Sequence, residues 1–256
     1  MLKLIITASM LLAGMLCQAQ VSETREAGSF SEIEISSGVQ LVYSQATEEN
    51  LIRIEASNTA SLQQVSVVSD GKRLSVSFKG QNRKENAVKV YVAAKHIRLF
   101  KAESGGHITL ANNVHAEDLA IVLASGAIFN GYVQSSGSVS VQAGSGVVFN
   151  GRIETGHFKG DFTNGAKINL SGKAAMATIN GQSGAYCNGR NFISEQAKIT
   201  SNDASVIITS NDEITVKAVD NGSVTYQGSP TRAFRNKDAF VTLKNRKSLP
   251  KIIAMD

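Results

Sequence analysis

The sequence contains no tryptophan, and only two prolines and two cysteines. Two cysteines exclude a disulfide scaffold and a multi-cysteine zinc fold. With 22 glycines but so little proline, the chain is neither collagen-like nor a proline-rich linker. Charged residues make up 18%, against the ~25% of ordinary globular domains, which excludes a highly charged disordered chain. Aromatic residues are 6%, thin for a protein that stacks sugars or bases on rings. Runs at helical periodicity are missing. Beyond Ala19 no apolar stretch approaches transmembrane length.

What is present begins with an export signal. Lys3 supplies a positive start, Leu4 to Leu16 form an apolar run, and Cys17-Gln18-Ala19 ends in a small residue. Residues 1–19 are expected to be a signal peptide cleaved before Gln20. Lipidation at Cys17 competes with this reading, but a lipobox wants a small residue where Leu16 stands. After cleavage Cys187 is the single cysteine, expected to be a small buried apolar residue.

The net charge of +5 is unevenly spread. Residues 230–256 carry seven basic and two acidic residues, which leaves the rest of the mature chain near neutrality. The charge distribution therefore gives no support to a nucleic-acid footprint across the whole fold, and no nucleic-acid partner is expected. The tail is expected to be either a solvated cap or a contact for anionic glycans or headgroups. Its candidate contact residues are Arg232, Arg235, Lys237, Lys244, Arg246 and Lys247.

The body repeats. Ser104-Gly105-Gly106, Ser125-Gly126-Ala127, Ser145-Gly146-Val147, Asn164-Gly165-Ala166, Ser183-Gly184-Ala185, Asn202-Asp203-Ala204 and Asn221-Gly222-Ser223 recur every 19 to 21 residues. Phe129-Asn130-Gly131, Phe149-Asn150-Gly151, Cys187-Asn188-Gly189 and Tyr226-Gln227-Gly228 follow four of them. Between these marks apolar residues alternate, as in Leu119, Ile121 and Leu123, the mark of a strand with one buried face. Nineteen residues bent at Gly and Asn corners into three short strands suit a coil that returns above itself. The expected fold is an all-β, single-stranded β-solenoid over residues 96–229, right-handed because the strict six-residue beat of the left-handed form is missing. In the last two repeats the apolar set moves by one residue, which requires a bulge or an altered corner.

Residues 20–28 are expected to form a linker and residues 29–95 a strand-rich module. Asp70-Gly71 lies between two alternating runs, a strong hairpin signal. This module and the tail (230–256) are expected to cap the solenoid ends.

The run Phe30-Ser31-Glu32-Ile33-Glu34-Ile35-Ser36-Ser37-Gly38-Val39-Gln40-Leu41, the Asp70–Leu74 hairpin and the recurring Ser-Gly marks resemble the bacterial "putative auto-transporter adhesin, head GIN domain" family, common in exported proteins of Bacteroidetes. The resemblance covers roughly residues 29–228. It implies an exported right-handed β-solenoid with an adhesin-like role.

Chemistry is sparse by comparison. Glu154, Asp161, Glu213 and the other acids of the repeat do not recur at one register position, as a polysaccharide-cleaving site requires. They are expected in solvated turns, with Asp203 at a corner in the place of a glycine. His96, His107, His115 and His157 form no metal-ligand spacing, and no cofactor fingerprint is present. No catalytic, metal or cofactor-binding residue is expected. Phe129 and Phe149 are expected to stack inside the coil, the alternative being an outward strip for a glycan. The sequence thus predicts a non-catalytic binding module of the cell envelope, at the periplasm, outer surface or medium, facing a glycan or protein partner. A carbohydrate-active enzyme on the same scaffold and an envelope protein stacking end to end are the alternatives.

Overall fold

A computed structural model of the chain describes residues 21–46, 51–80, 87–236, 240–243 and 251–255. Residues 1–19, expected to be a signal peptide, and Cys17 among them, lie outside the described residues. The described chain is nearly all β, a solenoid of about seven turns with stacked parallel coils.

The strands in chain order are β1 (Val21–Glu26), β2 (Glu32–Ile35), β3 (Gln40–Gln45) and β4 (Leu51–Ala56), followed by the short helix α1 (Thr59–Gln63). Next come β5 (Val65–Ser69), β6 (Arg73–Phe78), β7 (Val88–Ala94), β8 (Leu99–Ala102) and β9 (His107–Leu110). The long strands β10 (Val114–Leu123), β11 (Ile128–Ala143), β12 (Val148–Phe162), β13 (Lys167–Gln182), β14 (Tyr186–Asn202) and β15 (Ser205–Val219) build the regular body. β16 (Ser223–Gln227), β17 (Arg232–Asn236), β18 (Phe240–Leu243) and β19 (Lys251–Met255) complete the stack.

In the body the short strands of each coil run into one another. β12 pairs in parallel with β11 below and β13 above along nearly its whole length. The β11–β12 register slips between Gln134 and Ser138, a local bulge in this pair of strands. Where the apolar phase moves by one residue, the β14–β15 pairing shows the bulges the sequence requires, between Gly189 and Ile193 and between Ser194 and Gln196.

The sharp corners are the Ser-Gly marks. Ser37, Ser104, Ser125, Asn164 and Ser183 have φ of +50 to +57°, and the glycine after each has φ of +71 to +76°. Two successive positive φ angles make a type I′ turn, which glycine adopts without strain at its second central position. A Cβ at Gly126 or Gly165 would meet nothing within 4 Å, so backbone conformation rather than space selects glycine there. These turns also stack. Gly105 N–H donates to Ser125 O at 2.9 Å, Gly126 N–H to Ser145 O at 2.9 Å and Gly165 N–H to Ser183 O at 3.0 Å. Gly184 N–H donates to Asp203 O in the same pattern, so Asp203 stands in the place of the serine, not of the glycine.

Inward residues form columns. Leu41, Ile108, Phe129, Phe149, Ile168, Cys187, Val206 and Val224 lie one above another, all buried. Phe129 and Phe149 stack with ring centroids 5.1 Å apart and planes 8° from parallel. The expected inward stack is therefore present, and the outward glycan strip is overturned for these two rings. Small residues sit beside large ones: a Cβ at Gly160 would lie 2.4 Å from the Phe162 ring, and one at Gly151 2.3 Å from the Phe149 ring. Cys187 is buried as expected, and burial pushes its thiol up to about 12.

The first mark of the stack is one the repeat count missed, Ser37-Gly38. β2 and β3 form a coil, and β8 and β9 lie directly on it in parallel. Gly38 N–H donates to Ser104 O at 2.9 Å. The chain between them goes below this coil. β6 and β7 pair in parallel with β2 and β3, while β5 adds antiparallel to β6, β4 to β7 and β1 to β4. The Asp70-Gly71 hairpin joins β5 to β6 as expected, with Gly71 at φ +83°. Charges clamp the return: Arg73 bonds both Glu32 and Glu34, and Lys101 reaches Glu34 at 2.6 Å. At the other end the tail extends the stack, with β17 on β15, β18 on β16 and β19 on β17.

Candidate functional site

Strand alternation that turns Phe149 and Gly151 inward turns Asn150 and Arg152 outward. The same alternation places Asn130, Asn150, Asn169 and Asn188 in one outward column across β11 to β14. Asn169 Nδ2 donates to Asn150 Oδ1 at 2.8 Å, and Asn150 Nδ2 donates to Asn130 Oδ1 at 2.9 Å. That fixes Asn130 Nδ2 toward Nε2 of His107, 2.7 Å away. His107 Nε2 is then the acceptor and Nδ1 carries the proton. Burial holds the His107 pKa below its usual value. His96, His115 and His157 are exposed.

Beside the ladder lies a groove of about 290 Å³ lined by Asn150, Arg152, Asn169, Ser171, Asn188 and Asn191, among others. Arg152 bonds Glu154 at 2.7 Å and covers the Tyr132 ring at 4.9 Å. Lys173 approaches Glu154 from the next coil at 3.8 Å. The Arg152 hydrogen bond, with a second from Tyr132, holds the Glu154 carboxyl below its usual range. Tyr186, on the same outer face as Asn188, is 43% exposed.

A second groove, of about 360 Å³, crosses the other side of the coils past Gln142, Asp161 and Asn180. Asp161 is tied there to Lys159 at 3.3 Å and to Asn180 at 2.7 Å. A third, of about 780 Å³, is bordered by Gln45, Lys95, His96, Asn112 and His115. Its Gln45 side chain bonds Lys95 O and the backbone of His115. Among the described residues no cluster of three His, Cys, Asp or Glu side chains is arranged to hold a metal ion.

The tail residues fare differently. Arg232 is half exposed and paired with Glu213 at 2.8 Å. Arg235 is exposed on β17. Lys237, Lys244, Arg246 and Lys247 lie outside the described residues. The ladder asparagines were not expected as a site, although three of the four stand in the recurring triplets Phe129-Asn130-Gly131, Phe149-Asn150-Gly151 and Cys187-Asn188-Gly189. The fourth, Asn169, sits between Ile168 and Leu170, where the triplet is degraded but the register continues.

Comparison with known proteins adds the following. A family model described as "Putative auto-transporter adhesin, head GIN domain" matches residues 29–230. The crystal structure of a "putative adhesin" from Parabacteroides merdae aligns with 93% of this chain and 96% of its own, at TM-score 0.68 and 20% identity. A "putative adhesin" from Bacteroides fragilis aligns with 89% and 97%, at TM-score 0.63 and 15% identity. A "Putative lipid binding protein" from Parabacteroides distasonis aligns with 93% and 97%, at TM-score 0.62 and 12% identity. At these identities the likeness is one of fold. No curated protein matches the sequence.

Proposed function

The chain belongs to the auto-transporter adhesin, head GIN domain family, and from that premise we propose that it is an exported, non-catalytic binding module of the cell envelope. It presents the outer faces of its solenoid to a glycan or protein partner. The observation that carries this reading is the outer surface itself. Each coil repeats the outward positions of the one below, so equivalent side chains form rows across many rungs, a surface suited to an extended partner.

The acids of that surface favour binding over catalysis. A glycosidase needs a carboxylic acid whose pKa is raised, facing a second carboxylate. Here Glu154 and Asp118 move the other way, lowered by hydrogen bonds from Arg152 and Ser138 respectively. Glu213 and Asp161 are ion-paired. The lipid-binding name of one structural neighbour does not favour an internal lipid here, because Phe129, Phe149 and the residues stacked on them fill the coil. The apolar run at the amino terminus supports export, and among the described residues no helix is long and apolar enough to cross a membrane.

The test is binding of labelled chain, from Gln20 onward, to glycan arrays and intact cells. A second chain has Arg235, Lys237, Lys244, Arg246 and Lys247 changed to Gln. Saturable binding by both supports the solenoid face. Binding lost with the tail charges and weakened by salt assigns the contact to the tail instead. Failure of both chains to bind any surface overturns the reading.

A further inference from the structure

We propose that the asparagine ladder is a binding site for a neutral, hydroxyl-rich glycan lying along the solenoid axis. This rests on the adhesin-like reading above and narrows it to one face and one ligand class.

The argument starts from the amide group. An asparagine side chain offers two N–H donors and a carbonyl oxygen with two lone pairs. The ladder uses one donor of Asn150 and of Asn169, and one lone pair of Asn130 and of Asn150. Asn150 and Asn169 are exposed, so a donor and an acceptor remain at each rung and face solvent. The ladder bonds hold these amides in place, which lowers the entropy lost when a ligand engages them. Parallel rungs repeat at about 4.8 Å, so the free groups form a regular row. A sugar hydroxyl both donates and accepts, and a chain of sugars repeats its hydroxyl pairs along its length. The complementarity is therefore between two periodic arrays.

Three further observations converge on this strip. Asn188, the last rung, lines the groove, and its Oδ1 is the one buried side-chain polar atom among the described residues without a hydrogen-bond partner. A buried acceptor in that state is disfavoured, and turning the amide toward the groove would let a ligand hydroxyl satisfy it. Tyr186 is an exposed ring on the same outer face two residues before it, a platform for the apolar face of a sugar. Glu154 holds both Arg152 and Lys173 beside the groove, which leaves one positive charge in excess, while the ladder amides that would contact the ligand carry none. Amides that both donate and accept match neutral hydroxyls better than a carboxylate, which only accepts. A peptide would add most readily to an open strand edge, whereas the ladder lies inside the sheet with paired coils on both sides. In the other two grooves the central polar groups, Gln45 and Asp161, are already engaged with the protein.

The test titrates the intact chain with cellohexaose, mannohexaose, xylohexaose and maltohexaose, with hexagalacturonic acid as the anionic counterpart. Binding of at least one neutral hexasaccharide is expected, and it should survive high salt. The double variant Asn150→Val, Asn169→Val keeps good strand formers while removing two amides, and should weaken binding about ten-fold or more. Tyr186→Ala should weaken it and Tyr186→Phe should not, a comparison that stands even where the double variant does not fold. Lys198→Ala, on the other side of the coil, should leave it unchanged. Failure of every neutral hexasaccharide to bind, or preference for hexagalacturonate, overturns the proposal. So does wild-type affinity in a double variant with unchanged circular dichroism and melting. If the chain binds cells but no hexasaccharide, this inference fails and the adhesin-like reading stands. If it binds neither, both fail.

Discussion

Asn169, Asn150 and Asn130 each direct an amide hydrogen toward the preceding rung, and the last of these hydrogens reaches His107 Nε2. The ladder therefore depends on a neutral imidazole. Protonation would place a donor against the Asn130 amide hydrogen. Because burial lowers the folded-state pKa of His107, its contribution to stability is present above the ordinary value of 6.5 and is lost as pH falls below it. Melting temperature should drop between about pH 7 and pH 5 in the native chain, and less steeply in His107→Asn, whose amide prolongs the ladder at any pH. Equal slopes for the two proteins would show that His107 has no part in it. Inside the coil the decisive residues are large beside small. Phe149→Ala should lower stability to urea by about 3–5 kcal/mol, because it removes one of two stacked rings and leaves a cavity.

At the scale of the element, the type I′ turns act as a second ladder, outside the strands but continuous with them. Each glycine N–H caps the carbonyl of the neighbouring rung, so the turns join the coils as well as reversing the chain. Gly126→Ala meets no steric obstacle, so its effect isolates the backbone. It should destabilise by about 1–2 kcal/mol, the penalty of a left-handed conformation for an ordinary residue. Gly126→Asn should recover much of that loss, because asparagine visits this region more readily. Urea denaturation of the two variants separates conformational strain from packing, which would penalise the larger asparagine more.

At the scale of the whole molecule, a stack of parallel coils has two ends that could recruit other chains. The amino-terminal end is closed by antiparallel additions: β4 runs against the stack on one side with β1 antiparallel to it in turn, and β5 runs against the stack on the other. β1 carries Glu23, Arg25 and Glu26, charges that discourage further pairing. Removing it exposes the edge of β4, whose Ile52 and Ile54 are fully buried in the intact fold. A chain that begins at Ala27 should form larger species than the intact chain at equal concentration, as read by sedimentation. Unchanged sedimentation would show that β1 does not protect this edge.

Coil length, corners and inward-facing residues were all legible along the chain. Those features are local: alternation assigns a side chain to one face, and glycine admits the positive φ that the corners require. The sequence also carried the asparagine triplets, without revealing that they touch. Which rung lies on which was set by long-range packing. β8 stacks on β2 rather than on β6 or β7, which precede it in the chain, so Ser37-Gly38 joins the column of turns across the 65 residues that separate Gly38 from Ser104. The tail became further rungs, Arg232 found Glu213, and Asp203 took a serine's place. Each of these is a pairing between strands distant in sequence. Hydrogen bonding leaves such pairings degenerate until the inward columns are packed, and a ladder of amides exists only once that packing has fixed the register.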